Sequence, residues 1–131
     1  MFKVSKTFSF EASHQLAFHD GKCANLHGHS YKLTVVLQYR YLQPVLSDED
    51  ETVKNPQHNM IIDFGRISEI VKPFIEKYLD HRHLNSTLET DSPTAEFIAM
   101  WCYNRLKPDL PLLRAVHLKE TENTEVIYDE S

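Results

Sequence analysis

The sequence predicts an α+β fold, one four-stranded antiparallel sheet with two helices on one face. Three observations predict it. Two long stretches near the N-terminus alternate polar and apolar residues, two central stretches carry apolar residues at helical spacing, and two short alternating stretches close the chain. The order is β-β-α-α-β-β. The 131 residues suggest a single domain, 1–131, long enough to bury roughly two-thirds of its unfolded surface.

The first strand is read from Phe2, Val4, Phe8, Phe10 and Ala12, which alternate with Lys3, Ser5, Thr7, Ser9 and Glu11. The same face continues to His14. The second strand runs from about 29 to 42, with Tyr31, Leu33, Val35, Leu37, Tyr39 and Tyr41 on one face. Residues 43–59 hold two prolines and the acidic run Asp48-Glu49-Asp50-Glu51, a pattern of a long solvated surface loop. A helix then opens at Asp63, a suitable N-cap, and carries Phe64, Ile67, Ile70, Val71, Phe74, Tyr78 and Leu79 at helical spacing. Pro73 lies inside it and should kink or split it. In "DSPTAEF" Ser92 is the expected cap of the next helix, with Pro93 at its first position and Glu96 in its first turn. Phe97, Ile98 and Trp101 form its apolar face, and it should end near Pro108. Strands at about 112–120 and 125–129 complete the pattern around the turn "ENTE". Such a sheet has open edges, which invite pairing with further copies of the chain.

Composition excludes several classes of partner. The net charge is −5 and no Lys/Arg cluster is present, which argues against nucleic acid and anionic membranes. No apolar run reaches membrane-spanning length, and the N-terminus alternates where a signal peptide would carry an apolar run. A reducing cytoplasm is the expected compartment, with Cys23 and Cys102 as thiols.

Eight histidines are many for this length. In "CANLHGHS", His27 and His29 point the same way from a strand. Gly28 removes a side chain from between them and relaxes the backbone. If the first two strands form a hairpin, His14 joins the pair. Three imidazoles and an open fourth position are what a catalytic zinc requires. Cys23 could close the site as a fourth ligand, or stand beside it as a thiolate that acts as base or nucleophile. Cys102, beside Trp101, reads as a core cysteine. In "LDHRHLN", Asp80 and His81 could serve as orienting carboxylate and proton carrier, although such pairs also serve as helix-end partners. His19, His58, His83 and His117 read as surface or sheet residues. Glu120, at a strand end, could grip a flat guanidine-like edge through two hydrogen bonds.

Together "FSFEASH", "CANLHGHSY", "IIDFG", "LDHRHLN", "SPTAEF" and "KETENTEVIY" resemble the 6-pyruvoyltetrahydropterin synthase and 6-carboxytetrahydropterin synthase family across almost the whole chain. The resemblance implies the tunnelling fold (T-fold), in which three subunits close a barrel and two rings stack as a homohexamer with active sites between subunits. It implies zinc on His14, His27 and His29, with Cys23 as catalytic base rather than ligand. Asp80 and His81 would be the proton relay, Glu120 the anchor of the pterin, and Thr94 a further contact to its ring. Three residues separate Cys23 from His27, as in the carboxy-forming branch that serves queuosine and other 7-deazapurine biosynthesis. The pyruvoyl-forming branch has five, and a third branch has glutamate for the cysteine. The implied activity is a zinc-dependent lyase, taking 7,8-dihydroneopterin triphosphate to 6-carboxy-5,6,7,8-tetrahydropterin, acetaldehyde and triphosphate, with no redox cofactor. The alternatives are 6-pyruvoyltetrahydropterin synthesis and a non-catalytic zinc-binding scaffold. Loop 43–59 is longer than the resemblance leads one to expect.

Overall fold

The computed structural model describes residues 1–130. Strand β1 (Phe2–His14) pairs antiparallel with β2 (His27–Tyr39) over the full length of both. Their alternation puts Phe8, Phe10, Ala12 and His14 on one face with Tyr31, Leu33, Val35 and Leu37. Between them a single 3-10 turn, Lys22–Ala24, carries Cys23. Strand β2 starts two residues earlier than its pattern suggests, because His27 already pairs with His14.

Residues 43–59 cross the surface as expected. They are held by a bridge between Leu46 and Lys54 and by hydrogen bonds from Asn55 Nδ2 to Gln43 Oε1 and from Ser47 N to Val53 O. Helix α1 (Phe64–Tyr78) is capped by Asp63, whose side chain accepts from Gly65 N at 2.8 Å. Pro73 does not split it. The proline lies on the exposed face, where water can reach the carbonyl that its missing N–H leaves free. Ile67, Val71 and Ile75 bury the opposite face.

Two short elements follow that periodicity could not register: β3 (Arg82–His83) and α2 (Leu84–Thr87). Strand β3 pairs parallel with β1 at Ala12 and Ser13. The sheet therefore has five strands, in the order β3-β1-β2-β4-β5, and is mixed, where four antiparallel strands were expected. Helix α3 (Ala95–Leu106) is capped by Thr94, not Ser92: Thr94 Oγ1 accepts from Phe97 N at 3.1 Å. Pro93 thus stands outside the helix. Its carbonyl is committed to His14, which explains the displaced start. The buried stripe of α3 is Ile98, Ala99, Cys102, Tyr103 and Leu106. Phe97 and Trp101 flank it, and Trp101 meets Tyr78 and Phe74 of α1 at ring-centroid distances of 5.4 and 5.9 Å. Strands β4 (Leu113–Thr121) and β5 (Thr124–Asp129) form the closing hairpin.

The core lies between this sheet face and the helices. It includes Phe10, Leu33, Ile67, Leu79, Ile98 and Leu118. Full burial of each such side chain stabilises by roughly 1.5–3 kcal/mol. Cys102 is part of it, fully buried, and burial pushes its thiol above the usual range. Both cysteines are free. No helix among the described residues is long and apolar enough to cross a membrane.

Candidate metal centre and the cleft beside it

Apart from the buried tyrosines of the core, one buried side chain among the described residues is polar: His14, 1% exposed, at the end of β1. The hairpin register explains its company. His14 faces His27 directly, Ala12 faces His29, and His27 and His29 share a face because they are two apart. The three rings lie edge to face with centroids 4.5–5.0 Å apart. One ligand atom from each falls within 4.8 Å of the others, and Cys23 is not part of this group. Gly28 contributes differently from expectation. Its φ is not positive, but a Cβ there would meet Ala12 O at 3.3 Å, so glycine permits the close approach of β2 to β1.

Hydrogen bonds on the far side of two rings fix their tautomers. His14 Nδ1 donates to Pro93 O at 2.8 Å, and His27 Nδ1 donates to Asn25 O at 2.7 Å. Each Nε2 is then left with its lone pair free, the usual outer-shell arrangement of metal-binding histidine. His14 Nε2 and His29 Nε2 stand 3.1 Å apart. Two nitrogens sharing a tetrahedral zinc at about 2.0–2.1 Å would be about 3.3 Å apart. Burial lowers the His14 pKa; the Pro93 hydrogen bond and Glu120 act against this, and the other two imidazoles add to it. His14 is therefore neutral near pH 7, as a ligand must be. The donor set fits a divalent metal of the zinc type.

Tyr31 lies beneath the triad, fully buried, with its hydroxyl 3.3 Å from His14 Nδ1. Burial, and then Glu120, push its ionisation far up, so it stays neutral. Glu120 lies near the end of β4, one residue beyond the Lys32–Lys119 pair, and its charge reaches both Tyr31 and His14. Thr94 is the α3 cap, next to the Pro93 carbonyl that holds His14.

The Asp80–His81 pair forms as expected. His81 Nδ1 lies 3.0 Å from Asp80 Oδ2, and Asp80 Oδ1 accepts from Glu11 N at 3.0 Å. The Glu11 bond is the main reason the Asp80 carboxyl is held below its ordinary pKa. His81 adopts a left-handed backbone, φ 57, costly for a residue with a Cβ. It is held there by its own N–H donating to Glu11 O at 2.6 Å. His81, though not Asp80, lines a cleft of about 590 Å³ together with His29, Gly28, Ser13, Ser30 and His83. Cys23 does not line this cleft; it sits half-buried on its own turn.

Sequence reasoning passed over several residues here. His83 is not a bystander: its Nδ1 lies 3.0 Å from Ser13 Oγ within the cleft. Glu11 supplies both backbone contacts to Asp80–His81 and accepts from Ser30 Oγ at 2.7 Å. The parallel β3–β1 pairing creates these contacts, and a two-residue strand leaves no periodic signal. His117 pairs loosely with Glu125 at 3.8 Å, and His19 caps a local turn at Gly21 N.

A model of the family described as 6-pyruvoyl tetrahydropterin synthase matches residues 3–131. A protein of Synechocystis named 6-carboxy-5,6,7,8-tetrahydropterin synthase is 38% identical over 122 residues, covering 92% of this chain and 88% of its own. One of the same name from Haemophilus influenzae is 36% identical, covering 99% of this chain and all of its own. The solved structure of Caenorhabditis elegans 6-pyruvoyl tetrahydropterin synthase superposes with a TM-score of 0.77 at 24% identity, over 99% of this chain and 96% of that one. The last likeness is one of fold.

Proposed function

The chain belongs to the 6-pyruvoyl tetrahydropterin synthase family, and from that premise we propose that it is a 6-carboxy-5,6,7,8-tetrahydropterin synthase. It would convert 7,8-dihydroneopterin triphosphate to 6-carboxytetrahydropterin, acetaldehyde and triphosphate in 7-deazapurine (queuosine) biosynthesis in the cytoplasm. The observation that carries this reading is an open three-imidazole centre beside a polar cleft, in a chain 36–38% identical to two relatives of that name.

His14, His27 and His29 would hold the metal, zinc by the nature of the donors. When bound, it supplies Lewis acidity toward the side-chain oxygens of the substrate. The other steps fall to the chain. Pro93 O and Asn25 O keep His14 and His27 in the tautomer that presents Nε2. Cys23, outside the ligand group, takes a proton from the substrate side chain as thiolate. Asp80 fixes the His81 ring through Nδ1, so that Nε2 is free to carry a proton to another position. Glu120 accepts two hydrogen bonds from the guanidine-like edge of the pterin. Thr94 Oγ1 already accepts from Phe97 N, which leaves its hydroxyl hydrogen to donate to the ring. The hydrogens move within the substrate.

The assembly we propose is a homohexamer, a dimer of trimers with sites between subunits. Two features support it. Strands β3 and β5 are open sheet edges. Cys23 also lies apart from the cleft that holds His81, so a neighbouring subunit would complete the set.

Anaerobic incubation with 7,8-dihydroneopterin triphosphate, with products read by mass, tests the reading. Carboxytetrahydropterin with acetaldehyde is the expected result. Pyruvoyltetrahydropterin would overturn the branch, and no product from metal-loaded protein would overturn the activity.

A further inference from the structure

Asn85, in α2, closes the stretch "LDHRHLN", and its side chain reaches the exit of β1. Its Oδ1 accepts from Gln15 N at 2.9 Å, and its Nδ2 donates to Gln15 O at 2.7 Å. One side-chain amide thus takes both backbone groups of the residue after His14, as a neighbouring strand would. It extends the pairing that β3 makes with β1 at Ala12 and Ser13. The same Nδ2 lies 3.4 Å from Asp91 O, which also accepts from Ala17 N at 3.2 Å. Gln15 and its neighbour in turn hold the turn of Cys23. Gln15 Nε2 donates to Ala24 O at 2.7 Å, and Leu16 N donates to Cys23 O at 2.8 Å. A continuous hydrogen-bonded path therefore runs from Asn85 through Gln15 to the turn Lys22–Ala24.

We infer that Asn85, acting through Gln15, is the positioning residue for the Cys23 thiol. The inference rests on the function proposed above, in which Cys23 takes the proton. A cysteine has one rotatable bond before its sulfur, so the backbone of the turn sets where Sγ can stand. The metal ligands are fixed separately, since His14, His27 and His29 all lie in the paired strands β1 and β2. A loosened loop therefore displaces the thiol and leaves the metal in place. Gln15 is exposed, so water replaces the bonds of a lost Asn85 side chain and the fold survives.

The test uses the metal-loaded, full-length protein as Asn85→Ala, Asn85→Asp and Gln15→Glu. Asn85→Asp keeps the shape and the acceptor but turns a carboxylate oxygen on two carbonyls, so it should behave as Asn85→Ala does, which a space-filling role would not predict. Gln15→Glu leaves the Asn85 contacts, made to the Gln15 backbone, and removes the donor to Ala24 O. Amide hydrogen exchange of residues 15–26 should quicken in all three, with protection of β1 and β2 unchanged. Alkylation of Cys23 by iodoacetamide, read at the alkaline plateau where the thiolate is fully formed, should speed up several-fold, with buried Cys102 unreactive. Metal content should not change. The kcat should fall by roughly ten- to a hundredfold, the cost of misplacing a reacting group by about 1 Å, with KM little altered. Unchanged kcat, or unchanged exchange of residues 15–26, would overturn the inference. So would loss of metal, or a rise in KM without a fall in kcat. If Asn85→Ala fails to fold, Gln15→Glu, at an exposed position, decides by the same readings. Quickened exchange and alkylation in variants of a protein whose wild type turns over no substrate would uphold the placement of the thiol and overturn the proposed activity instead.

Discussion

Replacing Asp80 by asparagine separates orientation of a proton carrier from support of the fold. Asp80 makes two contacts of 3.0 Å: Oδ1 accepts from Glu11 N, and Oδ2 meets His81 Nδ1. In the Asp80→Asn variant the amide oxygen can keep the first bond. The amide nitrogen then faces His81 Nδ1 as a donor, so Nδ1 must accept, and the ring proton moves to Nε2. The atom that would pick up a proton is thereby blocked. Loss of general acid–base help of this kind costs about 10²–10⁴-fold in kcat. The stability cost should stay under about 1 kcal/mol, since the Glu11 bond survives and the carboxylate is a third exposed. Asp80→Ala orphans Glu11 N and should cost roughly 1 kcal/mol more. Steady-state kinetics and chemical denaturation of both variants check this. An Asp80→Asn protein with wild-type kcat would refute the orienting role. One as unstable as Asp80→Ala would refute the division of labour between the two oxygens. Asp80 also carries a pH signature. Its folded-state pKa lies below the ordinary value, so its contribution to stability is full above about pH 4 and is lost as pH falls through that region.

Three other substitutions test the remaining roles. His27→Ala should abolish metal binding, as measured by metal content after dialysis, and full occupancy would contradict the ligand set. Cys23→Ala should keep the metal and lose turnover by at least about 10²-fold; an active variant, or one without metal, would count against a thiolate base. Glu120→Ala should weaken binding of the pterin by roughly ten- to a hundredfold with metal content unchanged, because one charge-assisted contact is removed, and unaltered affinity would dismiss the anchor.

Much of this molecule could be read from the chain because its longest elements are half-buried. Thirteen-residue strands with one face in the core must alternate, so β1 and β2 declared themselves, and with them the convergence of His14 on His27 and His29. What stayed hidden is short or cooperative. The two residues of β3 and four of α2 span less than one useful period. Their consequence, the Glu11 clamp on Asp80 and His81, is a tertiary contact between residues 69 and 70 positions apart. The expected α3 cap failed for a tertiary reason. Local rules favour Ser92 followed by Pro93, but the Pro93 carbonyl is taken by His14, and the cap falls to Thr94 instead. His83 carried no signal of its own, since its partner Ser13 is brought to it only by the parallel pairing.

The central claim is an open centre of three imidazoles with the thiol outside it. Substitution of the metal by cobalt, followed by absorption spectroscopy, tests this most directly. Nitrogen and water ligation predicts d–d bands without an intense sulfur-to-cobalt charge-transfer band, and a spectrum unchanged in Cys23→Ala. A strong charge-transfer band that disappears in that variant would place Cys23 on the metal and contradict the account.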